Sequence, residues 1–407
     1  MLKMRKMKDS GIEWIGEIPE GWELRKGKSL YRVATGKLDA NAENPDGDYP
    51  FFTCSMAPKR INSYSFDCEA LLVAGNGLVG FTQYYKGKFD AYQRTYVLSD
   101  FRNVLPSFLR YYVSVGLPME VQPKSIGSVI QFIKLGDLLN FNITLPSIEQ
   151  QTIISNYLEF KIIQIDAILS KTRSSIEEYK KLKQAVITQA VTKGVRGERE
   201  MKDSGVEWIG EIPAEWKIQR FARVAEVKSN LVSPDNYLEY PQISPENIEK
   251  DSGKLLLPCR TVSEVGVISG NHLFYKGQIL YSKIRPKLNK VCIAPFDGLC
   301  SADMYPIESK NDTRYIMYCI LSNGFLQQVS MITENRVKMP KVNQVELSKI
   351  LVAIPETIAE QKEIADYLDT KCAEIDGLIV KKEQLVKELE SYKKSLIYEV
   401  VTGKREV

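Results

Sequence analysis

"MKDSGVEWIGEIP", residues 201–213, nearly repeats "MKDSGIEWIGEIP", residues 7–19 of the same chain. The two copies differ only at Ile12 and Val206, and they begin 194 residues apart in a chain of 407 residues. A period of this length is too long for a solenoid, whose units have roughly 20–50 residues, and it indicates a duplicated domain instead. The stretch therefore predicts that the chain starts the same fold twice.

A second repeated segment follows each block. "LPSIEQQTIISNYLEFKIIQIDAIL" at 145–169 is similar to "IPETIAEQKEIADYLDTKCAEIDGLI" at 354–379, with matched Tyr-Leu and Ile-Asp pairs 210 residues apart. Apolar residues recur in both at alternating steps of four and three, which predicts long helices with a coiled-coil seam. The predicted seam residues are Leu158, Ile162, Ile165, Leu169, Ile176, Leu368, Ile375, Ile379, Val386 and Leu389.

Polar residues occupy matched positions in the two predicted seams, Thr172 with Lys382 and Lys183 with Lys393. Polar seam residues set the register of paired helices. This favours pairing of the two helices over the alternative, in which each amphipathic helix lies on its own domain.

The blocks between these helices contain short runs of Tyr, Phe, Val and Ile separated by Gly, Pro, Asn and Asp. This pattern is typical of mixed α+β domains with short strands, and short helices are predicted at 106–116 and 313–329. The predicted fold class is α+β, with two globular domains of short strands and helices separated by two long helices. The predicted segments are a first globular domain at 1–145, a central helix at 146–200, a second globular domain at 201–353 and a C-terminal helix at 354–407.

Composition narrows the class of protein. Hydrophobic residues make up 44% of the chain and charged residues 26%, and there is no uninterrupted run of 18 apolar residues. The seven cysteines form no CxxC pair, which favours reduced thiols in a cytoplasmic protein without a membrane span. A net charge of +4 permits a nucleic-acid partner without establishing one.

Motifs for catalysis are missing from the sequence. His272, the single histidine, is interpreted as a loop residue, which argues against Ser-His-Asp catalysis and histidine metal sites. "GNGLVG" at 75–80 matches the dinucleotide pattern, but the aromatic and β-branched residues after it predict a strand instead of the required helix. The chain is predicted to catalyse nothing and to bind no metal or cofactor itself.

Each block contains candidate DNA-binding residues. "LYSKIRPKLNK" at 280–290 has basic residues at near-alternate spacing, which would aim them toward phosphates and base edges on one side. A solvated basic loop is the alternative. Aligning the blocks places 75–80 in the slot of 283–288, and a second slot pairs 123–134 with 333–344. The candidates are Ser282, Lys283, Arg285, Lys287, Asn289, Lys290, Arg336 and Lys338 in the second block, and Asn76, Gln83, Gln93 and Arg94 in the first. Buried hydrogen-bonding roles are the alternative for the four residues of the first block.

The restart "KDSGxEWIGEIPxxW", the "LPxxxEQxxI" segment and the order of two blocks and two helices resemble the specificity subunit of type I restriction-modification systems. The resemblance covers essentially the whole chain. It departs at "IPETIAEQKEI", which has more residues between Pro and Gln than "LPSIEQQTI", so the register there stays open.

The resemblance implies two target recognition domains, each reading one half of a split double-stranded DNA target. It implies that the helices pair antiparallel with roughly two-fold symmetry and act as a ruler between the half-sites. Methyltransferase subunits carrying S-adenosylmethionine would dock on the chain, and ATP- and Mg-dependent restriction subunits would bind through them. Two alternatives remain open, a coiled-coil adaptor that binds only proteins and a stand-alone DNA-modifying enzyme.

Overall fold

The computed structural model describes residues 5–121, 132–336 and 340–407. Contacts between Cα atoms divide the chain into two compact units, one containing the residues up to Thr172 together with Gln384–Val407, the other Arg173–Glu383. Each unit thus contains one globular block and a part of both long helices. The predicted segment boundaries follow the order of elements along the chain, whereas the units divide the helices because each block packs on parts of both.

Short strands and short helices precede each long helix, as the alternation of apolar runs and turn residues predicts. In the first unit the elements are β1 Met7–Asp9, β2 Glu17–Pro19, β3 Glu23–Lys26, α1 Gly27–Leu30, β4 Arg32–Thr35, β5 Tyr49–Phe52, β6 Lys59–Ile61, β7 Phe66–Ala74, β8 Thr82–Ala91, β9 Thr95–Ser99, α2 Pro106–Val121, α3 Leu135–Asn140, β10 Asn142–Leu145 and the first part of α4 Ile148–Lys193.

The second unit repeats this order with a different set of edge strands. Its elements after α4 are β11 Met201–Asp203, β12 Glu211–Pro213, β13 Lys217–Arg220, α5 Phe221–Val224, β14 Ala225–Val227, β15 Leu231–Val232, β16 Gln242–Ile243, α6 Val262–Val265, β17 Asn271–Phe274, β18 Ile279–Ser282, β19 Val291–Ile293, β20 Gly298–Cys300, β21 Met304–Ser309, α7 Thr313–Leu321, α8 Asn323–Thr333, α9 Gln344–Lys349, β22 Leu351–Ile354 and α10 Ile358–Val401, which the first unit shares.

A common four-strand order runs through both units, β4-β9-β7-β8 in the first and β14-β21-β18-β19 in the second. Leu71 is paired with Leu98, and Ile279 with Ile307, at equivalent positions of these sheets. All four side chains are fully buried. The predicted alignment of the two blocks is therefore confirmed. The first sheet is extended by β5 and β6, whereas the second unit adds a separate sheet of β15, β17, β20 and β16.

The restart segment folds in the same way in both units. A hairpin pairs β1 with β2 and β11 with β12 in one register. In each hairpin an aspartate accepts a hydrogen bond from a glycine N–H, Asp9 from Gly11 at 2.9 Å and Asp203 from Gly205 at 3.0 Å. Both glycines have φ near +70°, which only glycine adopts readily, and this explains the repeated Asp-Ser-Gly.

The predicted seam residues of the long helices are buried or half-buried. In the first unit Leu158, Ile165 and Leu169 share a core with Leu396 and Val400. In the second unit the core contains side chains of both helices, including Ile187, Val191, Leu368 and Cys372. No helix within the described residues is both long and apolar enough to cross a membrane.

Within each unit an ion pair joins the two long helices. Lys393 Nζ lies 2.6 and 2.8 Å from the carboxylate oxygens of Asp166 in the first unit. Lys183 Nζ lies 2.9 Å from both carboxylate oxygens of Asp376 in the second. Since Asp376 and Lys393 each follow their counterparts by 210 residues, the second pair repeats the first with the roles of the two helices exchanged.

Two glutamines settle the register that the sequence left open. Gln151 Oε1 accepts from the N–H of Leu105 at 2.8 Å, and Gln361 Oε1 accepts from the N–H of Asp312 at 3.0 Å. Their amide groups also donate to the carbonyls of Pro146 and Pro355. Gln151 and Gln361 are therefore equivalent, 210 residues apart, and the residue before each, Gln150 or Glu360, is equivalent too.

Candidate nucleic-acid interface

In each block the described part of the second predicted slot lies beside the first slot, while 123–131 and 337–339 lie outside the described residues. In the first unit Asn76 forms a β-bridge with Phe132, and the N–H of Ile133 donates to the carbonyl of Gly75 at 2.9 Å. In the second unit a bridge of the same kind joins Ile284 to Lys341. The bridged residues are 56 and 57 positions apart in sequence, yet each unit brings them together at the end of its central strand.

The first unit places three of its predicted residues together. The carbonyl of Arg94 accepts a hydrogen bond from the N–H of Gly75 at 2.8 Å, which puts Arg94 beside Asn76. Gln93 and Arg94 are exposed and Asn76 is half-exposed. Their amide and guanidinium groups are suited to bidentate contacts with adenine and guanine.

Gln83 has a different position from that predicted. Its amide nitrogen donates to the carbonyls of Ser55 and Met56, both at 2.9 Å, so it holds the loop after β5 in place. The side chain is half-buried and both of its donors are engaged within the chain. Gln83 is better described as a residue that positions the surface.

Exposed apolar side chains surround this surface, and they were not predicted from the sequence. Met56 is 75% exposed, Leu78 56% and Phe132 48%. Lys134 Nζ lies 5.9 Å from the ring centre of Phe132. Apolar groups of this kind contact thymine methyl groups in DNA complexes. Leu78, a large apolar residue inside the glycine-rich turn, is a feature of the sequence that could have indicated these exposed side chains.

In the second unit the basic segment is a compact turn and not an extended strand. Arg285 and Asn289 have left-handed backbones, with φ of 46° and 39°, and flank a 3-10 turn at Pro286–Leu288. Proline fixes the start of such a turn, and asparagine tolerates the left-handed region. The prediction that alternate spacing aims the basic side chains to one side is therefore wrong.

Three of the predicted residues hold this turn in place. The hydroxyl of Ser282 donates to the carbonyl of Ile284 at 3.1 Å, and the amide of Asn289 donates to the carbonyl of Ile320 at 3.1 Å. Both side chains are at most 2% exposed, which corrects the prediction that they contact DNA. Lys290 is half-buried, and its Nζ donates to the carbonyl of Pro245 at 2.7 Å.

The exposed cations of the turn are Arg285 and Lys287. The N–H of Arg285 donates to the carbonyl of Pro340 at 2.8 Å, which fixes the backbone beneath its free side chain. Lys283 is half-buried, with Nζ 5.3 Å from the ring centre of Tyr305. The first unit thus presents small, amide and apolar groups where the second presents cations.

Arg336 lies at the edge of this surface but is paired. Its guanidinium donates to both carboxylate oxygens of Glu346 and to the carbonyl of Lys341. The hydrogen bond from Arg336 lowers the pKa of Glu346, so this pair stays charged at neutral pH. Lys338 lies outside the described residues.

His272 lies in β17 and not in a loop, which corrects the expectation from the sequence. Burial, with a smaller contribution from Lys283, lowers its pKa, so the imidazole is neutral at pH 7. Within the described ranges no group of three or more His, Cys, Asp or Glu side chains is arranged to hold a metal ion.

Comparisons with known proteins point in one direction. The family described as "Type I restriction modification DNA specificity domain" matches residues 19–178 and 213–388. The chain is 38% identical over 378 residues to the type I restriction enzyme EcoDI specificity subunit of Escherichia coli, covering 89% of this chain and 84% of that protein. It is 23% identical over 414 residues to the MjaVIII specificity subunit of Methanocaldococcus jannaschii, covering 95% and 93%.

A solved structure has the same fold. It comes from work on complex assembly and conformational transition of a type I R-M system, and it superposes with a TM-score of 0.68 at 13% identity. The superposition covers 95% of this chain and 99% of that one. At this identity the likeness concerns the fold alone.

Proposed function

The chain belongs to the specificity subunits of type I restriction-modification systems, and from that premise we propose that each of its blocks reads one half of a bipartite double-stranded DNA target. One observation carries the proposal. Both units build a surface from the same two slots, one with Asn76 and the neighbouring Arg94 and the other with Arg285 and Lys287. Equal frames with different side chains are suited to reading different sequences.

We further propose that the long helices pair antiparallel as a coiled coil and set the spacing between the half-sites. The exchanged ion pairs support this arrangement, because Asp166 with Lys393 and Lys183 with Asp376 are related as a two-fold duplication requires. With 46 residues, α4 is about 69 Å long.

Methyltransferase subunits are the proposed partners of the outer faces of these helices. Large apolar side chains away from the seam are exposed at positions 210 residues apart, Ile148 with Ile358, Ile168 with Leu378 and Leu182 with Tyr392. Matched exposed apolar positions are suited to two copies of one partner. Restriction subunits would join through these methyltransferases.

The chain itself would be a non-catalytic, cytoplasmic subunit. S-adenosylmethionine and ATP with Mg would then belong to the partner subunits. The coiled-coil adaptor is the weaker candidate, because it gives no reason for two surfaces that share a frame and differ in chemistry.

Methylome sequencing of cells carrying the intact system tests the function. We expect one methylated bipartite motif, and exchange of 283–288 together with 333–344 should change only one half of it. A change in both halves, or in neither, would contradict the assignment of one block to each half-site.

A further inference from the structure

The two units differ at the corner where the restart segment meets the start of a long helix. In the second unit this corner is closed by the carboxylate of Glu360, which is 4% exposed. Its Oε1 accepts from the indole N–H of Trp216 at 3.2 Å and from Arg199 Nη1 at 2.7 Å. The indole N–H and Arg199 thus donate to the same carboxylate oxygen.

Two further carboxylates complete the second corner. Arg199 also pairs with Glu215, and its guanidinium carbon lies 5.8 Å from the ring centre of Trp216. Arg196 Nη2 lies 2.8 Å from Glu363 Oε2. The corner therefore contains two guanidinium groups, one buried indole N–H and three carboxylates.

The first unit keeps the donors of this corner. Trp22 and Arg5 precede Trp216 and Arg199 by 194 residues, the spacing of the restart, and the guanidinium carbon of Arg5 lies 5.4 Å from the ring centre of Trp22. Arg405 follows the left-handed Gly403 by two residues, as Arg196 follows the left-handed Gly194. Both arginines and the indole are thus retained.

The carboxylates are not retained. Gln150 stands where the second unit has Glu360, by the register that Gln151 and Gln361 establish. By the same spacings Ile153 replaces Glu363 and Gly21 replaces Glu215. All three acids of the second corner are neutral residues in the first.

A cavity with an unpaired donor results. Trp22 is 2% exposed, and its indole N–H has no hydrogen-bond partner among the described residues. It lines a cavity of about 110 Å³ together with Arg5, Gln150, Ile153 and Arg405. Buried donors without an acceptor are rare in folded proteins. At roughly 30 Å³ per water, the cavity has room for a carboxylate with its adjoining methylene groups.

Among the described residues, no acidic side chain is paired with Arg5 or accepts from the indole N–H of Trp22. Arg405 Nη1 lies 3.4 Å from Glu399, and both side chains are more than 40% exposed. Glu406 lines the cavity, but within the described residues it forms no ion pair with Arg5 or Arg405. The indole N–H and Arg5 remain available to an acceptor from outside.

We propose that this corner of the first unit is a carboxylate-binding site that takes an acidic side chain of a partner protein. A protein source is favoured because apolar groups flank the site. Ile153 lines the cavity and is 52% exposed, and Phe160, two turns along the same helix, is 59% exposed. The identity of the partner, a methyltransferase subunit, rests on the proposed function.

Propionate tests the chemistry on the full chain with ¹⁵N-labelled tryptophan. We expect a saturable shift of the indole N–H signal of Trp22, assigned with a Trp22→Phe variant, and no shift for Trp216. Arg5→Met should weaken the response at least roughly tenfold, since charge-assisted hydrogen bonds are about twice as strong as neutral ones. No response to propionate, or a response to inorganic phosphate alone, would overturn the proposal.

Refilling the corner tests it from the other side. Gln150→Glu should raise the thermal midpoint and remove the propionate response, because it restores the acid of the second unit. The reverse change, Glu360→Gln, should lower the midpoint and give Trp216 a propionate response. If Gln150→Glu leaves both the midpoint and the propionate response as in the unsubstituted chain, the site is not a carboxylate receptor.

Binding to the purified methyltransferase subunit separates this inference from the proposed function. We expect Gln150→Glu to weaken binding at least tenfold, and Glu149→Gln, an exposed neighbour, to leave it unchanged. Failure of the unsubstituted chain to bind would overturn the proposed function. Equal binding by the unsubstituted chain and Gln150→Glu would overturn the inference alone.

Discussion

Arg285 combines a fixed backbone with a free side chain. Its N–H is bonded to Pro340, the turn beyond it is held by Asn289, and its guanidinium is exposed. We expect Arg285→Ala to cost about 1–3 kcal/mol at one base pair of one half-site, the usual value of a bidentate base contact. Titrations of duplexes with single base-pair changes would measure this.

Lys217→Ala is a suitable control for Arg285→Ala, since Lys217 is an exposed cation on β13, outside the two slots. It should leave sequence preference unchanged. A uniform loss of affinity for every duplex in Arg285→Ala would instead identify a phosphate contact.

The two exchanged ion pairs differ in burial, which gives a matched comparison. The side chains of Lys183 and Asp376 are 8% and 18% exposed, whereas those of Lys393 and Asp166 are 29% and 50% exposed. Removing one partner of a buried pair costs about 3–5 kcal/mol, and an exposed pair contributes about 1 kcal/mol or less. We expect Lys183→Met to cost about 3 kcal/mol, because Lys254 still neutralises Asp376 at 2.7 Å.

Denaturant unfolding of Lys183→Met and Lys393→Met would measure this difference. Lys393→Met should lower the free energy of unfolding by about 1 kcal/mol or less. Equal losses in the two variants would show that burial does not determine the strength of these pairs.

Among the secondary-structure elements, the two long helices have a length that can be varied as a test. Deleting 171–177 together with 382–388 removes one heptad from each helix and keeps both ion pairs and the seam in phase. The helices should shorten by about 10 Å. The unread gap between the half-sites should then shrink by roughly three base pairs, with both half-sequences unchanged.

Methylome sequencing would read the new gap directly. Deleting the heptad from one helix only is the control, because it moves one seam against the other and should abolish methylation. Full methylation with the original gap in the double deletion would show that the helices do not set the spacing.

Residues 1–200, about half of the whole molecule, contain one block and all of α4. Alone, this fragment would expose seam residues such as Ile165, Leu169 and Ile176, and burying each such side chain is worth roughly 1.5–3 kcal/mol. Since Lys183 is the counterpart of Lys393, an antiparallel pair of two α4 helices would join Asp166 of each copy to Lys183 of the other. We expect a homodimer that, with the methyltransferase, modifies a palindromic split site.

Light scattering of the fragment tests this expectation. Asp166→Lys should favour the monomer by opposing two lysines, and adding Lys183→Asp should restore the dimer. A well-folded monomer of the unsubstituted fragment would contradict the expectation.

The repeated motifs of the sequence predict two similar blocks and two long helices. Periodic features allow this prediction, because apolar residues at every third or fourth position form one face of a helix, and that face is buried. The restart predicted the duplication, the matched helices predicted the seam, and the alignment of Leu71 with Ile279 is confirmed by strand register. The resemblance to specificity subunits is likewise confirmed by the family match.

Which side chains of each surface are bonded within the chain became clear from the fold. Ser282 and Asn289 are of residue types that contact DNA, but Ser282 donates to the carbonyl of Ile284 and Asn289 to that of Ile320, 31 residues away. Lys290 is held by Pro245 in the same way. The indole of Trp22 lies where residues from three distant segments meet, and none of the described residues accepts its hydrogen bond. Hydrogen-bond partners are determined by which groups lie close together in the fold, and a local sequence pattern does not contain that information.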